Sequence, residues 1–385
     1  MRSFSRTLGA VSRTLATASR SRAPIQPLFS KPSAFPGLLR TRVRNMATST
    51  TPVLAQPIKL ACIQISSGPD KDINLRHARN LVLEAAGDGA KLVVLPECFN
   101  SPYGCDYFPE YAETLLPSPP TLDQSQSYHA LSAMAKDAGV FLVGGSIPEA
   151  DPDPSSNKYY NTSLTFGPDG ALLGTHRKVH LFDIDIPGKI TFRESDVLSP
   201  GNKITLIDLP GYGKIAVAIC YDVRFPELAT IAARRGAFAL IYPGAFNTTT
   251  GPLHWELQGR ARAMDNQLYV ALCSPARDPA STYQAYGHSL IVDPMARVLT
   301  EAEAGEDIVS WELDGEVIEE TRRNIPLSTQ RRFDVYPDIN EGEIRFEEPE
   351  GSDGEKPLLV RRESGVGYRY TGRKTTPVPT GTKVW

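Results

Sequence analysis

The chain has 385 residues, 41% of them hydrophobic, with a formal net charge of −3. That is enough for one large buried core or two smaller ones. No run approaches the roughly 20 consecutive apolar residues that a membrane-crossing helix requires, so no membrane contact is expected.

The small net charge hides an asymmetry. Residues 1–45 hold eight Arg and Lys31 but no acid, and the first acid is Asp70. The rest of the chain sets 32 basic against 44 acidic residues, near −12, which argues against a nucleic-acid partner. An Arg- and Ser-rich, acid-free start with dispersed apolar residues has the composition of a mitochondrial transit peptide rather than of a secretory signal. The plainer reading is a basic leader with no address. Initiation at Met46 would give a form beginning MATSTTPVLAQ. The expectation is therefore a mitochondrial protein with a cytoplasmic form beside it.

From residue 57 short apolar runs alternate with helical patterns, as in an α/β or layered α+β domain. The predicted strands are KLACIQI (59–65), KLVVLPE (91–97), VFLVGGSI (140–147), KIAVAICYD (214–222), FALIYPGA (238–245), LYVALCS (268–274) and HSLIVD (288–293). Most are apolar on both faces, as in a sheet covered on both sides. Ile73, Leu75, Ala78, Leu81, Val82 and Ala85 predict a helix over 72–87, and 227–235 and 253–266 also read as helices. NKYYNTSLTFGPDGALLGTHRK and KITLIDLPGYGKIAV read as hairpins turning at PDG and PGYG. After about 337 the composition shifts to Glu, Gly, Pro and Lys, which predicts a charged tail over 337–385, disordered or laid over a partner subunit. The catalytic domain is then 57–336.

Three residues have settings that suit chemistry. Glu97 ends the run VVLPE, and strand ends are where ligands and catalytic groups gather in α/β sheets. Cys220 ends KIAVAIC at a strand-to-helix junction, where helix-terminal N–H groups and a cation can stabilise a thiolate. Lys178 stands near the end of a hairpin strand, in GTHRKVHLFD, and an ammonium near a cysteine and a carboxylate can stabilise an oxyanion. Each also has a plainer reading: a capping carboxylate, a packing thiol and a surface lysine. A Cys-His pair through His254 or His288 stays open on spacing alone. Five cysteines, at 62, 98, 105, 220 and 273, make an odd count without CxxC spacing, so neither disulfides nor a zinc site is expected. Phosphate-binding loops and metal-ligand clusters are absent from the sequence.

Together, LPECFNSPYG (95–104), HRKVHLFDIDIPGKITFRES (176–195) and GKIAVAICYDVRFPE (213–227) resemble, in order, the three signature segments of the nitrilase superfamily of carbon-nitrogen hydrolases. The resemblance runs over about 57–336, including YPGAFNTTTGPLHWELQGRARAMDNQLYV (242–270), and leaves out both ends. It implies an αββα sandwich that pairs as αββααββα in a homodimer. It implies Glu97 as general base, Lys178 as oxyanion stabiliser and proton donor, Cys220 as nucleophile, and Glu194 as the carboxylate that positions the lysine or substrate. The segments FDIDIPGKITFRES and ECFNSPYG are most similar to the omega-amidase subgroup, which implies hydrolysis of the distal amide of 2-oxoglutaramate and 2-oxosuccinamate. An amidase acting on deaminated glutathione and a catalytically silent scaffold are the alternatives.

Such a reaction requires no metal or other cofactor. The backbone N–H of Tyr221 would assist Lys178 at the oxyanion. Arg224, four residues past the nucleophile, is the candidate for gripping the substrate's carboxylate, with an ion pair to Asp222 or Glu227 as its plainer role. Tyr103 is a candidate donor to the bound acid.

Overall fold

The computed structural model describes residues 52–347 and two short strands, Arg361–Arg362 and Gly365–Val366. The basic leader, its Met46 start and most of the charged tail lie outside the described residues.

Two large sheets make up most of the described β structure. The first contains β1 (Ile58–Gln64), β2 (Leu92–Val94), β3 (Glu113–Thr114), β4 (Phe141–Val143), β5 (Ile147–Ala150), β6 (Tyr159–Phe166) and β7 (Leu172–Arg177). A small separate hairpin follows, β8 (Asp183–Ile186) with β9 (Ile190–Arg193). The second sheet runs β10 (Thr205–Leu209), β11 (Gly213–Val217), β12 (Ala237–Pro243), β13 (Tyr269–Cys273), β14 (Leu290–Val292) and β15 (Val298–Glu301), neighbours in chain order. The chain then returns as β16 (Asp307–Leu313) to pair antiparallel with β1, giving the first sheet the order β16-β1-β2-β4-β6-β5-β3, with β7 on β6.

The helices are α1 (Lys71–Gly87), the short α2 (Phe108–Tyr111), α3 (Gln126–Ala138), α4 (Pro226–Arg234), α5 (Gly251–Asn266) and α6 (Gly315–Asn324). Asp70 caps α1 by accepting the Ile73 N–H at 2.9 Å, and Pro226 opens α4 with its φ already set.

The strand sequences explain the layering. In β1, Leu60 and Cys62 point into a core shared with Ile215, Val217, Ile241 and Ala271 of the second sheet, while Ala61 and Ile63 pack on Ala78, Val82 and Leu131 of α1 and α3. Each strand residue meets apolar atoms on one face or the other, so no polar alternation develops. On the far side, Leu240, Val270 and Leu272 pack on Leu228, Ala232, Trp255 and Ala263 of α4 and α5. The layers therefore follow the order α–β–β–α. Each fully buried aliphatic side chain in these interfaces contributes about 1.5–3 kcal/mol of transfer free energy.

The expected strands and hairpins all occur, and α3 is an addition. Its signal lies in SQSYHALSAMAKDAG, where Ser125 accepts the Tyr128 N–H and Gly139 ends the helix in the left-handed region. The hairpin β8–β9, the strands β3, β15 and β16 and the helices α2 and α6 are further additions.

The tail reading needs correcting at its start. Residues 337–347 lie against the domain: Asp338 forms a bidentate pair with Arg234, Asn340 accepts from Arg235, and the Arg345 carbonyl accepts from the Ile204 N–H at 2.9 Å. The acidic composition that suggested disorder is matched here by the two arginines at the end of α4.

Candidate active site

Glu97, Lys178 and Cys220 follow the ends of β2, β7 and β11, so strands of both sheets deliver them. All three are buried. Glu97 is set by two adjacent strand ends. Gly145, just past β4, has φ +57°, and a Cβ there would fall 2.0 Å from the Pro96 carbonyl oxygen. Only glycine permits that approach, and Ser146 then accepts the Cys98 N–H at 3.1 Å and donates its own N–H to Pro96.

The Lys178 ammonium donates to Glu97 Oε1 at 2.9 Å and to Glu194 Oε1 at 2.8 Å. Asn161 Nδ2 also donates to Glu97 Oε1 at 2.8 Å, and the Phe182 N–H donates to Glu194 Oε2 at 2.8 Å. Glu97 Oε2 has no hydrogen-bond partner among the described residues. An unpaired ammonium at this depth would cost several kcal/mol, so the flanking carboxylates are a condition for burying Lys178 at all. Burial pushes the ammonium toward neutrality, but Glu194 and Glu97 outweigh it and hold the lysine well above its ordinary range. Lys178 is charged.

Cys220 opens a 3-10 turn, Cys220–Arg224, with φ +45°, an uncommon conformation for a residue with a side chain. Its sulfur accepts the Ala245 N–H at 3.4 Å. Burial pushes the thiol well above its ordinary value, Glu97 adds to this, and Lys178 only partly opposes it. Burial thus opposes the thiolate stabilisation that the strand-to-helix setting offers, which is consistent with a thiol that needs a general base. The donor that reaches it comes from the loop after β12, not from the turn that follows it.

Asp222 ties the lysine segment to this turn. Its Oδ2 accepts the Ile219 N–H at 2.9 Å and faces His176 Nε2 at 3.1 Å, and its Oδ1 accepts the His180 N–H at 2.8 Å and faces His180 Nδ1 at 2.7 Å. His176 and His180 stand two residues either side of Lys178, so one buried carboxylate joins the Lys178 and Cys220 segments. Burial alone would raise its pKa, but the hydrogen bonds from His176 and His180 hold it well below the usual carboxylate range.

The remaining expected residues also lie here. Tyr221 follows Cys220 and packs its ring on Phe182 and Phe225, with centroids 5.2 and 5.6 Å away. The Tyr103 hydroxyl, expected on a bound acid, donates to Glu194 Oε1 at 3.3 Å, and its ring lies 4.4 Å from that of Tyr283. Arg224 makes neither of its suggested ion pairs. Asp222 is taken by the two histidines, and the guanidinium lies 4.7 Å over Phe246 and donates to His254 at 3.2 Å. The alternative base pairs are also accounted for: His254 meets Arg224, and His288 meets Glu301 at 2.9 Å. Among the described residues no group of three or more His, Cys, Asp or Glu side chains is arranged to hold a metal ion.

Asn161, Asp222 and Tyr283, whose hydroxyl donates to the Ala245 carbonyl at 2.5 Å, were not singled out from the sequence. The pair His176 and His180 about Lys178 was a usable signal for Asp222. Nothing local marks Asn161.

The sequence profile of the Carbon-nitrogen hydrolase family matches residues 59–323. The chain belongs to that family. The hydrolase is 55% identical over 295 residues to Omega-amidase NIT3 of Saccharomyces cerevisiae, spanning 76% of this chain and 99% of the relative. It is 53% identical over 278 residues to Omega-amidase NIT2 of Mus musculus, spanning 72% and 96%. The crystal structure of S. cerevisiae Nit3, a member of branch 10 of the nitrilase superfamily, superposes with a TM-score of 0.67 at 52% identity, covering 74% of this chain and all of that one.

The Asp222 carboxylate generates a stability prediction. Because its folded pKa is depressed, its contribution is present above the unfolded value of about 4 and is lost as pH falls below it. Replacing Asp222 by Asn should cost about 3 kcal/mol at pH 7 in urea unfolding, and the gap from wild type should narrow steadily between pH 5 and about pH 2. A gap that stays constant with pH would assign Asp222 no charged role.

Proposed function

We propose that this hydrolase is a cysteine-dependent omega-amidase that converts 2-oxoglutaramate and 2-oxosuccinamate to 2-oxoglutarate or oxaloacetate and ammonia. The omega-amidases NIT3 and NIT2 align over nearly their whole length at 55% and 53% identity, and this carries the choice of substrate class. The buried thiol, with Glu97 and a lysine whose pKa its two carboxylate partners raise, supports the mechanism.

Because the thiol is protonated at rest, its deprotonation accompanies attack. Glu97 takes the proton as the Cys220 sulfur adds to the amide carbonyl. The oxyanion is stabilised by the Lys178 ammonium and the Tyr221 N–H. The proton on Glu97 passes to the amide nitrogen, the C–N bond breaks, and ammonia leaves a thioester on Cys220. Glu97 then deprotonates water, which attacks the thioester; the acid departs and the proton returns to sulfur. Glu194 keeps Lys178 aimed, and Tyr103 supports Glu194. Arg224, stacked on Phe246 and without a carboxylate partner among the described residues, receives the substrate's carboxylate as a bidentate fork.

The protein acts as a homodimer in this reading. Leu253, Leu257 and Met264 project from one stripe of α5 and are 63%, 63% and 55% exposed, which suits helix layers that pair as αββααββα. The basic leader directs one form to mitochondria, while a start at Met46 yields a cytoplasmic one.

Ammonia release should be confined to the oxo-acid amides, sparing glutamine and deaminated glutathione, and should fall by more than about 1000-fold in Cys220→Ala. Preference for deaminated glutathione would change the substrate but not the chemistry. Activity persisting in the variant would remove Cys220 as nucleophile. By analytical ultracentrifugation, Leu257→Glu should shift the protein from dimer to monomer; an unshifted dimer would place the interface elsewhere. A fluorescent reporter fused to residues 1–45 should localise to mitochondria, and a reporter left in the cytosol would refute the address.

A further inference from the structure

Arg224 is held by one histidine and two aromatic rings. Its Nη1 donates to His254 Nδ1 at 3.2 Å, and its Cζ lies 4.7 Å from the Phe246 ring centroid and 5.4 Å from that of Tyr221. Its Nε is buried and has no hydrogen-bond partner among the described residues. In a guanidinium the Nε–H and one Nη2–H point along the same edge, the edge that takes a carboxylate in two parallel hydrogen bonds; Nη1 lies away from it. His254 therefore occupies the donor that a side-on carboxylate does not use. The ring contacts place the guanidinium, and the hydrogen bond at Nη1 limits its rotation.

Accepting at Nδ1 requires that nitrogen to be unprotonated, since both nitrogens of an imidazolium are donors. Burial and the nearby Arg224 charge both hold His254 below its ordinary pKa, in keeping with a neutral ring. His254 belongs to the first turns of α5, whereas Arg224 ends the nucleophile turn. The contact thus ties the second outer helix to the segment that carries Cys220.

We propose that His254 is a positioning residue for substrate selection: as a neutral acceptor it locks the Arg224 guanidinium on Phe246 so that the Nε–Nη2 edge is presented to the carboxylate at the substrate end remote from the amide. The proposal rests on the reading of Arg224 as the carboxylate ligand. His254 touches neither the scissile amide nor the sulfur, so its removal acts on recognition and not on bond cleavage.

The test compares the full-length wild type with His254→Leu, His254→Gln and Arg224→Leu, using 2-oxoglutaramate and an uncharged aliphatic monoamide of similar length. Alkylation of Cys220 by iodoacetamide reports on the nucleophile independently. Loss of the acceptor in His254→Leu should raise KM for 2-oxoglutaramate about 10-fold, the size of one lost hydrogen bond. Its kcat, the turnover of the uncharged amide and the alkylation rate should stay at wild-type levels. Gln, whose amide oxygen can accept from Nη1, should bring KM back to within about 3-fold of wild type. An unchanged KM in His254→Leu beside a raised KM in Arg224→Leu would overturn the role of His254 and leave Arg224 as the ligand. An unchanged KM in both would remove the Arg224 reading and this inference with it. A fall in kcat on both amides with slowed alkylation would show His254 to be a structural residue and overturn the proposal.

Discussion

A single ammonium buried between two carboxylates sets the terms for the rest of this molecule. Lys178 has no access to water, and its charge is tolerated only because Glu97 and Glu194 reach it at 2.9 and 2.8 Å. Those carboxylates arrive from segments far apart in the chain, one after β2 and one after the β8–β9 hairpin. Asn161 adds a second donor to Glu97 Oε1 and the Phe182 N–H binds Glu194 Oε2, while Glu97 Oε2 keeps no partner among the described residues. Two carboxylates and one ammonium leave excess negative charge beside Cys220. Together with burial, the larger cause, this drives the thiol up.

The backbone of Cys220 is the second constraint. A φ of +45° at a residue with a side chain costs of order 1 kcal/mol and persists only where the surroundings over-determine it. Here Asp222 binds the Ile219 N–H within the turn, and it is fixed in turn by histidines on both sides of Lys178. Gly244 adds a steric limit, since a Cβ there would lie 3.0 Å from the Cys220 Cα and 3.1 Å from the Trp255 ring. The sandwich core supplies the rigidity that keeps these contacts in register, because its strand ends are packed on both faces.

What the sequence alone determined is local. Apolar runs without alternation announced strands buried on both faces, apolar residues at helical spacing marked α1, and Glu97, Lys178, Glu194 and Cys220 were singled out through three ordered segments. What tertiary structure decided depends on separations that no local pattern encodes. The pairing of β16 with β1 closes the first sheet across about 240 residues, Asn161 reaches Glu97 across 64, and the Tyr103 hydroxyl falls to Glu194. How far burial raises the Cys220 thiol was beyond the sequence, because helix ends and cations can be read from neighbours in the chain, whereas desolvation depends on everything packed around the sulfur. Arg224 shows the same limit. Sequence proximity offered it Asp222 and Glu227, but the fold gave Asp222 to two histidines and set the guanidinium between an aromatic ring and His254, because burial favours partners by their position in space and not along the chain.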